Sequence, residues 1–338
     1  MFRLAKLACL IVIISGCQRT SVDRSFYYWK TRFDLSNQER DYLSDLKIKK
    51  LHIRFFDIEY DEISKNPMPV GTIRFANKVP EGIDVVPVIY ITNKTLQKTA
   101  DGSMVGLTSN LHQLVKSIAA QNAIKFTELQ IDCDWSETTR EKYFRLLKLL
   151  KAELKDCNLS ATIRLHQVKY DKITGVPPVD RGMLMFYNMG KVSAKENHNS
   201  IFDKDDAAKY VSYIKKYSLP LDIALPLFSW GIHIREHKPV ELLNNLTSYD
   251  FSNNANFIHQ DEQSYLATQS FFFRGFYFMK NDVVKIEEIS PDLCQEAANM
   301  VANELSSSNR SIALFNLDSL TLSRYEKKNF EKIYSTFH

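Results

Sequence analysis

The chain has 338 residues, of which 44% are hydrophobic, and it carries 44 basic and 40 acidic side chains. This balance excludes an intrinsically disordered chain, a collagen-like repeat and a small protein held together by disulfides. Because the net charge is only +4 and no block of lysine and arginine is present, we expect no nucleic-acid partner.

The first residues have the features of a bacterial export signal. Arg3 and Lys6 form a short basic region, and the unbroken apolar run that follows, residues 7–14, is too short to cross a membrane as a helix. The chain becomes polar soon afterwards. We therefore predict a cleaved signal peptide over residues 1–16.

The predicted cleavage site resembles the lipobox of bacterial lipoproteins, through the residues ISGC at 14–17. This resemblance implies that Cys17 is acylated with palmitate-type chains and becomes the new N-terminus, with residues 17–24 as a tether. The alternative is an ordinary cleaved signal. Because Gln18 is not acidic, the segment resembles lipoproteins sorted to an outer membrane. We expect a protein of the bacterial cell envelope, held at the membrane by its lipid anchor.

The remaining cysteines indicate neither a disulfide framework nor a metal site. Cys133, Cys157 and Cys294 are an odd set without the short spacings of metal ligands. His233 and His237 are spaced to share one face of a helix, but no third ligand accompanies them. No glycine-rich phosphate loop follows a predicted strand. We therefore expect no metal, no cofactor and no nucleotide.

Eight short runs rich in β-branched and aromatic residues predict eight strands that are buried on both faces. They lie at residues 26–33, 51–58, 85–92, 128–135, 159–166, 182–188, 221–230 and 311–318. Capping boxes at 36–39 and 138–141 predict helix starts between them, and Ser290 followed by Pro291 predicts another. Apolar residues at helical spacing indicate further helices over 111–120, 206–217 and 320–336.

This alternation of strands and helices predicts an α/β fold, a (β/α)8 TIM barrel over residues 25–338, with an open doubly wound sheet as the alternative. The stretch between the seventh and eighth strands is too long for one helix. Its aromatic run at 271–279, polar turn at 280–282 and alternating run at 283–289 predict a hairpin. We therefore expect a hairpin-containing insertion at about residues 235–289.

Candidate site residues lie where the predicted strands end, because barrel sites are assembled at the C-terminal ends of the strands. Several of these polar side chains are costly to bury without partners, so they are expected to converge at one mouth. They are Asp57, Asp132, Asp134, Arg164, His166, Tyr187, Asn188, Trp230 and Asn316. For His166, a place in the core or at the rim without a role is the alternative.

Aromatic side chains near the same strand ends offer faces for a sugar ring. Tyr27, Trp29, Phe228, Trp230 and Phe315 belong to this group. Core packing explains such residues equally well, so we expect only some of them to reach the mouth.

Asp132 and Asp134 are the most informative pair. Residues two apart in a strand point to the same side, so both carboxyl groups are expected to face the barrel interior. Mutual repulsion would raise the pKa of one of them, which suits acid or electrostatic work. The alternative is a structural role, with the pair held by Arg164 or Arg54 from neighbouring strands.

The fourth-strand residues IDCDW at 131–135 resemble the D-x-x-D-x-D-x-E motif of family 18 glycoside hydrolases, the chitinases and endo-β-N-acetylglucosaminidases. MFYN at 185–188 resembles the sixth-strand motif of that family, and LPLF at 225–228 resembles the seventh. Residues 311–318 resemble the last strand, where an aromatic residue floors the sugar site. The motifs occur in the family's order from about residue 26 to 318. The chain also resembles an uncharacterised, divergent family of bacterial barrels.

This resemblance implies hydrolysis assisted by the substrate's own N-acetyl group, an exception to the scheme with two catalytic carboxyl groups. Asp134 matches the aspartate that steadies the oxazolinium intermediate, and Asp132 matches the residue beneath it. Tyr187 and Asn188 match the residues that hold the acetamido group.

Two positions depart from the family motif. Leu129 replaces the first aspartate, and Ser136 stands where the catalytic glutamate is expected. A serine hydroxyl does not act as a general acid near neutral pH in the way a carboxyl group of raised pKa does. Glu137 is adjacent, and a bulge would turn it inward, whereas in an uninterrupted strand it faces away. Both residues also suit the start of the next helix.

Three functions therefore remain open. We favour a lipid-anchored barrel that binds a glycan or oligosaccharide with weak or lost hydrolysis. The second is an active hydrolase of glycans containing N-acetylglucosamine, with Asp132, Asp134 and Glu137 as catalytic residues. The third is an envelope scaffold whose mouth is plugged by side chains of the insertion. The position of Glu137 relative to Asp134 distinguishes hydrolysis from the other two functions.

Overall fold

Eight parallel strands form a barrel in the computed structural model, which describes residues 22–194, 198–305 and 310–337. The barrel strands are β1 (Val22–Tyr28), β2 (Lys50–Asp61), β3 (Asp84–Ile91), β4 (Glu128–Asp132), β5 (Asn158–Arg164), β6 (Arg181–Met185), β7 (Leu221–Pro226) and β8 (Arg310–Phe315). β1 pairs with β8 on one side and with β2 on the other, so the sheet closes on itself. The predicted (β/α)8 barrel is therefore confirmed, and the open sheet is wrong.

The strand bounds differ from the predicted ones mainly at their ends. β1 begins at Val22, inside the range predicted as a tether, and β4 ends at Asp132 rather than at residue 135. From β4 to β8 the paired strands stop before the predicted ends because the residues that follow leave the hydrogen-bonded ladder. The predicted signal peptide, Cys17 and residues 17–21 lie outside the described residues.

Helices follow the strands and cover the outside of the barrel, except the short helix Ser248–Ser252, which packs in the insertion. They are α1 (Asn37–Asp45), α2 (Asn93–Lys98), α3 (Met104–Gln121), α4 (Arg140–Glu153), α5 (Leu165–Lys169), α6 (Asp171–Thr174), α7 (Lys204–Val211), α8 (Ser248–Ser252), α9 (Pro291–Ala302), α10 (Ser319–Leu322) and α11 (Lys327–Ser335). Short 3₁₀ turns lie at Asp101–Ser103 and Ile214–Lys216. None of the helices in the described ranges combines the length and the apolar character needed to cross a bilayer.

Two of the predicted helix starts are confirmed in atomic detail. The Ser36 hydroxyl accepts the N–H of Glu39 at 3.1 Å, and the Glu39 carboxylate accepts the N–H of Ser36 at 2.9 Å. Likewise, the Ser290 hydroxyl accepts the N–H of Leu293 at 3.1 Å, ahead of Pro291. These bonds satisfy backbone donors that a helix start otherwise leaves unpaired.

The capping box predicted at residues 138–141 is wrong. α4 begins at Arg140, after Thr139, which makes no side-chain cap. The Thr139 hydroxyl instead donates to Oδ1 of Asn93 at 2.6 Å, because the start of α2 lies beside this turn. A tertiary contact has therefore replaced the local cap.

Five antiparallel strands form a second sheet, inserted between β7 and β8. Their spatial order is Lys238–Asn244, Ser229–Arg235, Val283–Glu288, Ser264–Ala267 and Phe257–His259. The sheet has a small apolar core of its own, which includes Phe251 and Phe278. It begins at Ser229, before the start expected from the sequence.

The strand pairing predicted for the insertion is wrong. Phe271–Phe273 pairs with Phe276–Phe278 in a hairpin of its own, while Val283–Glu288 pairs elsewhere in the inserted sheet. Arg274 and Gly275 both have positive φ, at 49° and 87°. Such a two-residue turn matches the twist of the strands it joins, so the aromatic run folds back on itself.

Three further short strands lie near the barrel. Asn66–Val70 pairs antiparallel with β2 at the edge of the barrel sheet. Arg32–Phe33 pairs with Arg74–Phe75, which ties the loop after β1 to the loop after β2. Both loops reach the C-terminal end of the barrel.

We expect Ser36→Ala to lower the free energy of unfolding by about 1 kcal/mol, since an alanine cannot accept the N–H at the start of α1. Denaturant unfolding followed by circular dichroism measures the change. Ser44→Ala is the matched control, because Ser44 is exposed within α1 and is not the cap. Equal losses for the two variants would contradict the role of the cap.

Candidate functional site

The C-terminal ends of the barrel strands enclose a cleft of about 490 Å³. Every residue predicted for the site lines this cleft except Glu137 and His166. Those that line it are Trp29, Asp57, Asp132, Asp134, Arg164, Tyr187, Asn188, Trp230 and Asn316. Barrel closure thus brings together side chains that are far apart in the sequence.

Below the cleft, polar side chains join the interior faces of β4 and β5. The Ser160 hydroxyl donates to Oε1 of Glu128 at 2.6 Å, and Nε2 of Gln130 donates to that hydroxyl at 3.3 Å. The Tyr27 hydroxyl donates to Oε1 of Gln130 at 2.5 Å, and Tyr27 is fully buried. Tyr27 is therefore not part of the cleft wall; it lies in the layer beneath.

Asp132 forms the acidic floor of the cleft. It is 6% exposed, and the Thr162 hydroxyl donates to its Oδ1 at 2.6 Å. Burial raises the pKa of Asp132 to about 6, against the lowering effect of the Arg164 charge, and the nearby Asp134 and Asp57 carboxylates add to the rise. The carboxyl group therefore titrates close to neutral pH.

Asp134 lies one layer higher and is paired with Arg164. Nε and Nη2 of Arg164 donate to the two carboxylate oxygens at 2.5 and 3.1 Å, a bidentate geometry. The Asp134 side chain keeps 49% of its surface exposed. Although burial opposes it, the Asp134 charge and these hydrogen bonds raise the pKa of Arg164. The pair is thus a fixed, overall neutral group in the cleft wall.

A second arginine–aspartate pair lies on β2. Nε of Arg54 donates to Oδ1 of Asp57 at 2.6 Å, and a second hydrogen bond joins Nη2 to Oδ2. The Arg54 guanidinium also lies 5.8 Å from the centre of the Trp29 ring, within range of a cation–π contact. Arg54 therefore holds Asp57 and Trp29, whereas Arg164 holds Asp134.

Aromatic rings form the opposite wall. Phe315 lies at the centre, with its ring centroid 5.5 Å from Trp29, 5.6 Å from Tyr187 and 5.8 Å from Phe228. Phe228 in turn lies 5.3 Å from Trp230. The cleft thus faces a ligand with carboxylates and with a continuous aromatic surface, and Asn188 and Asn316 directly follow two of the aromatic residues.

Tyr187 and Asn188 connect the two walls at the end of β6. Tyr187 is buried, and its hydroxyl donates to Sδ of Met185 at 3.0 Å. Burial raises the pKa of Tyr187, so its hydroxyl stays neutral. Asn188 has a positive φ of 53°, and its N–H donates to the Ile201 carbonyl at 2.7 Å. The Asn188 side chain is exposed toward the cleft.

The cleft also contains residues that the sequence analysis did not select. Tyr90, at the end of β3, faces Asp132 across the sheet; burial and the charges of Asp134 and Asp132 raise its pKa to about 12. Tyr90 could have been predicted from the sequence, because a tyrosine near the end of an apolar strand brings a polar hydroxyl group to the mouth. The insertion contributes Ser229, Asn244 and Asn245. No sequence pattern indicated these, because the path of an insertion across a barrel mouth is not encoded by local spacing.

Glu137 does not line the cleft, and the inward bulge considered from the sequence is not formed. Its side chain is exposed on the turn before α4. The Ser136 hydroxyl, at the position of the family's acid, lies 2.9 Å from the hydroxyl of Thr138 and 3.2 Å from that of Thr139. Among the described residues, no glutamate lines the cleft.

The burial of Trp135 explains why the chain turns away from the barrel after β4. It is 1% exposed, its indole N–H donates to the Thr174 carbonyl at 3.0 Å, and its ring stacks on Tyr143 of α4 at 5.0 Å. Ser136, the next residue, already belongs to the turn that leads into α4, since its carbonyl accepts the N–H of Arg140 at 2.9 Å. Burial of the tryptophan against α4 therefore directs Glu137 away from Asp134.

The histidines do not contribute to the cleft wall. His166 is exposed in the first turn of α5. Partial burial of its ring nevertheless lowers its pKa, and the Asp134 charge opposes this shift. His233 and His237 do not share a helix face, because His233 lies in a strand, with Nε2 2.8 Å from Oδ2 of Asp282. Within the described ranges, no three histidine, cysteine or acidic side chains converge as metal ligands.

No protein-family model and no curated protein matches the chain. Among solved structures, the spore cortex-lytic enzyme SleL of Bacillus cereus is 14% identical with a TM-score of 0.51, over 94% of this chain and 75% of that chain. SleL of Bacillus megaterium QM B1551 is 12% identical with a TM-score of 0.53, over 94% of this chain and 74% of that chain. At this identity the similarity concerns the fold. The chain shares the (β/α)8 barrel fold of these enzymes, so the barrel expected from the resemblance to family 18 is confirmed.

We expect Asp132→Asn to raise the free energy of unfolding by about 1–3 kcal/mol at pH 7.5. The pKa of Asp132 in the folded protein, about 6, lies above that of an unfolded aspartate, so its contribution to stability falls as the pH rises from about 4 to 6. Asparagine does not titrate, so the variant does not lose this stability as the pH rises. Denaturant unfolding at pH 4 and pH 7.5 measures the difference, which should shrink at the lower pH.

Asp156→Asn serves as the control, because Asp156 is exposed. It should shift stability little at either pH. A gain for Asp132→Asn that is the same at both pH values would contradict the pKa assigned to this carboxyl group.

Proposed function

We propose that this protein is a lipid-anchored lipoprotein of the bacterial cell envelope whose barrel binds a glycan chain with weak or lost hydrolysis. The observation that carries the proposal is a cleft with an aromatic wall, carboxylates and exposed amides, which no glutamate of the described residues lines. The fold shared with spore cortex-lytic enzymes supports a glycan as the ligand class.

The two walls suit the two kinds of surface that a sugar ring presents. Trp29, Phe228 and Phe315 offer flat apolar faces to the C–H groups of a pyranose. Asn188 and Asn244 offer exposed amides at the rim, each able to donate to and accept from a hydroxyl or an acetamido group. Ligand sites of this kind combine a largely apolar lining with a few placed polar groups.

The open mouth favours binding over a purely structural role. Trp230 and Asn245 of the insertion form part of the wall, and the cleft between the walls remains accessible. A scaffold with a filled mouth, the third function considered from the sequence, requires insertion side chains inside this space.

Hydrolysis requires a proton donor near the glycosidic oxygen. Ser136 is engaged with neighbouring hydroxyls, and Glu137 is exposed outside the cleft. Asp132, the acid with the raised pKa, is only 6% exposed at the floor. These positions support weak or lost turnover.

The charge of Arg164 gives a second, electrostatic reason to expect weak or lost hydrolysis. Glycoside hydrolysis passes through a transition state with positive charge on the sugar ring, which a carboxylate stabilises. Here the matching carboxylate, Asp134, already forms a bidentate pair with Arg164, so its field at the sugar is largely cancelled. The neutral Asp134–Arg164 pair can still accept hydrogen bonds from an uncharged glycan and donate hydrogen bonds to it.

The predicted anchor fits the orientation of the barrel. β1 begins at Val22, the fifth residue after Cys17, and the N-terminal ends of the strands lie on the face opposite the cleft. An acylated Cys17 would hold this bottom face at the membrane, and the cleft would open away from the lipid surface. We place the protein at the outer membrane on the basis of Gln18.

We expect the purified protein to bind tetra-N-acetylchitotetraose in isothermal titration calorimetry. Trp29→Leu removes a stacking surface and Asp134→Asn breaks the charged pair in the polar wall, and each should weaken binding about tenfold. Asp156→Asn, remote from the cleft, should bind like the natural protein. Failure to bind chito-oligosaccharides, peptidoglycan strands or N-glycans would exclude glycan binding.

The same protein should release little or no chromophore from aryl chitobiosides, because no glutamate of the described residues lines the cleft. Glu137→Gln should then be indistinguishable from the natural protein in this assay. Turnover by the natural protein that Glu137→Gln abolishes would instead identify an active hydrolase and overturn this part of the proposal.

For the anchor, we expect Cys17→Ser to abolish incorporation of labelled palmitate and to move the protein from the membrane to the soluble fraction in a bacterial host. Cys157→Ser, a change to a cysteine within the barrel, should keep both the label and the membrane location. Persistent labelling of Cys17→Ser would contradict lipidation at this residue.

A further inference from the structure

An ion pair is buried where the inserted sheet meets the barrel mouth. Lys285 is 1% exposed and Glu287 is fully buried, on one face of the strand Val283–Glu288, and Nζ of Lys285 donates to Oε1 of Glu287 at 3.0 Å. Removing two charges from water carries a penalty that a single contact rarely offsets, so the remaining hydrogen bonds of the pair are decisive.

The other oxygen of Glu287 accepts three hydrogen bonds. The indole N–H of Trp230 donates to Oε2 at 2.9 Å, the N–H of Ser200 donates at 3.0 Å, and the Ser200 hydroxyl donates as well. Nζ of Lys285 also donates to the His198 carbonyl. One carboxylate therefore ties an inserted strand to the loop after β6 and to an aromatic residue of the cleft wall.

Trp230 needs this support because its ring lies at the edge of the aromatic wall. It is 8% exposed, and Phe228 lies 5.3 Å from it on the cleft side. Packing alone fixes a ring less strictly than a hydrogen bond to a carboxylate that is itself immobile. The same carboxylate also acts on the end of β6, since the residue after Ser200, Ile201, accepts the N–H of Asn188 at 2.7 Å.

We propose that Glu287 is a positioning residue that fixes Trp230, and through Ser200 also Asn188, as the glycan-contacting edge of the cleft. The effect on ligand affinity rests on the proposed function, whereas the effect on Trp230 itself does not. Lys285 balances the charge that makes Glu287 a strong acceptor. The insertion thus shapes the binding site as well as bordering it.

The first test needs no ligand. The chain has three tryptophans, so its ¹H–¹⁵N spectrum contains three indole N–H signals, and Trp230→Phe identifies one of them. In Glu287→Gln, the Trp230 signal should shift and its hydrogen should exchange faster with solvent. The Trp135 signal, whose N–H donates to Thr174, should stay in place. An unchanged Trp230 signal would overturn the positioning role.

The second test is a double-variant cycle on binding of tetra-N-acetylchitotetraose. Glu287→Gln should weaken binding about tenfold in the natural background and clearly less in Trp230→Phe, where only the route through Ser200 and Asn188 remains, because contacting residues that act together are not additive. Glu262→Gln, an exposed glutamate of the same insertion, should leave affinity unchanged. Equal losses in both backgrounds would contradict action through Trp230.

The double variant Lys285→Met, Glu287→Gln separates positioning from stability. Loss of only one partner strands a buried charge, whereas removal of both charges is often tolerated. The double variant should therefore fold, yet keep the shifted Trp230 signal and the weaker binding. Recovery of natural affinity in this variant would overturn the proposal. If the natural protein binds no glycan, the proposed function fails, and the indole signals alone decide the role of Glu287.

Discussion

The structure depends on a ladder of polar contacts between two neighbouring parallel strands. Because residues two apart face the same side of a strand, β4 presents three polar side chains to the barrel interior, and Asp134, just after β4, continues the series at the mouth. Residues of β5 pair with them layer by layer. From bottom to top the contacts are Glu128 with Ser160, Gln130 with Ser160, Asp132 with Thr162, and Asp134 with Arg164. The ladder satisfies groups that would otherwise be costly to bury, and it sets the height and direction of the acids at the mouth.

The top of this ladder determines what the cleft can do. An arginine that grips both oxygens of Asp134 stabilises the native arrangement but removes the negative field on which a glycosidase relies. Burial of Trp135 against α4 carries the following residues away from the mouth, so Glu137 lies outside the cleft. In the function we propose, such a cleft recognises a sugar through stacking and hydrogen bonds. The surroundings of one strand end would then separate binding from hydrolysis.

Much of this architecture could be predicted from the sequence, because eight apolar runs with helical patterns between them specify a closed barrel and its C-terminal mouth. The two-residue period of a strand was enough to predict that the side chains of Asp132 and Asp134 meet in one cleft. Glu137 could not be placed from the strand alone, since the burial of Trp135 is a tertiary contact. The insertion was harder still: the turn at Arg274 lies inside a run of aromatic residues whose composition indicates one strand.

A crystal structure of the protein with tetra-N-acetylchitotetraose would distinguish glycan binding from hydrolysis. We predict an intact oligosaccharide lying in the cleft, with a sugar ring against the aromatic wall, hydrogen bonds to the Asp134–Arg164 pair, and the inserted edge at Trp230 in contact with it. An empty cleft in the presence of saturating ligand, or a cleaved product held beside Asp132, would contradict it.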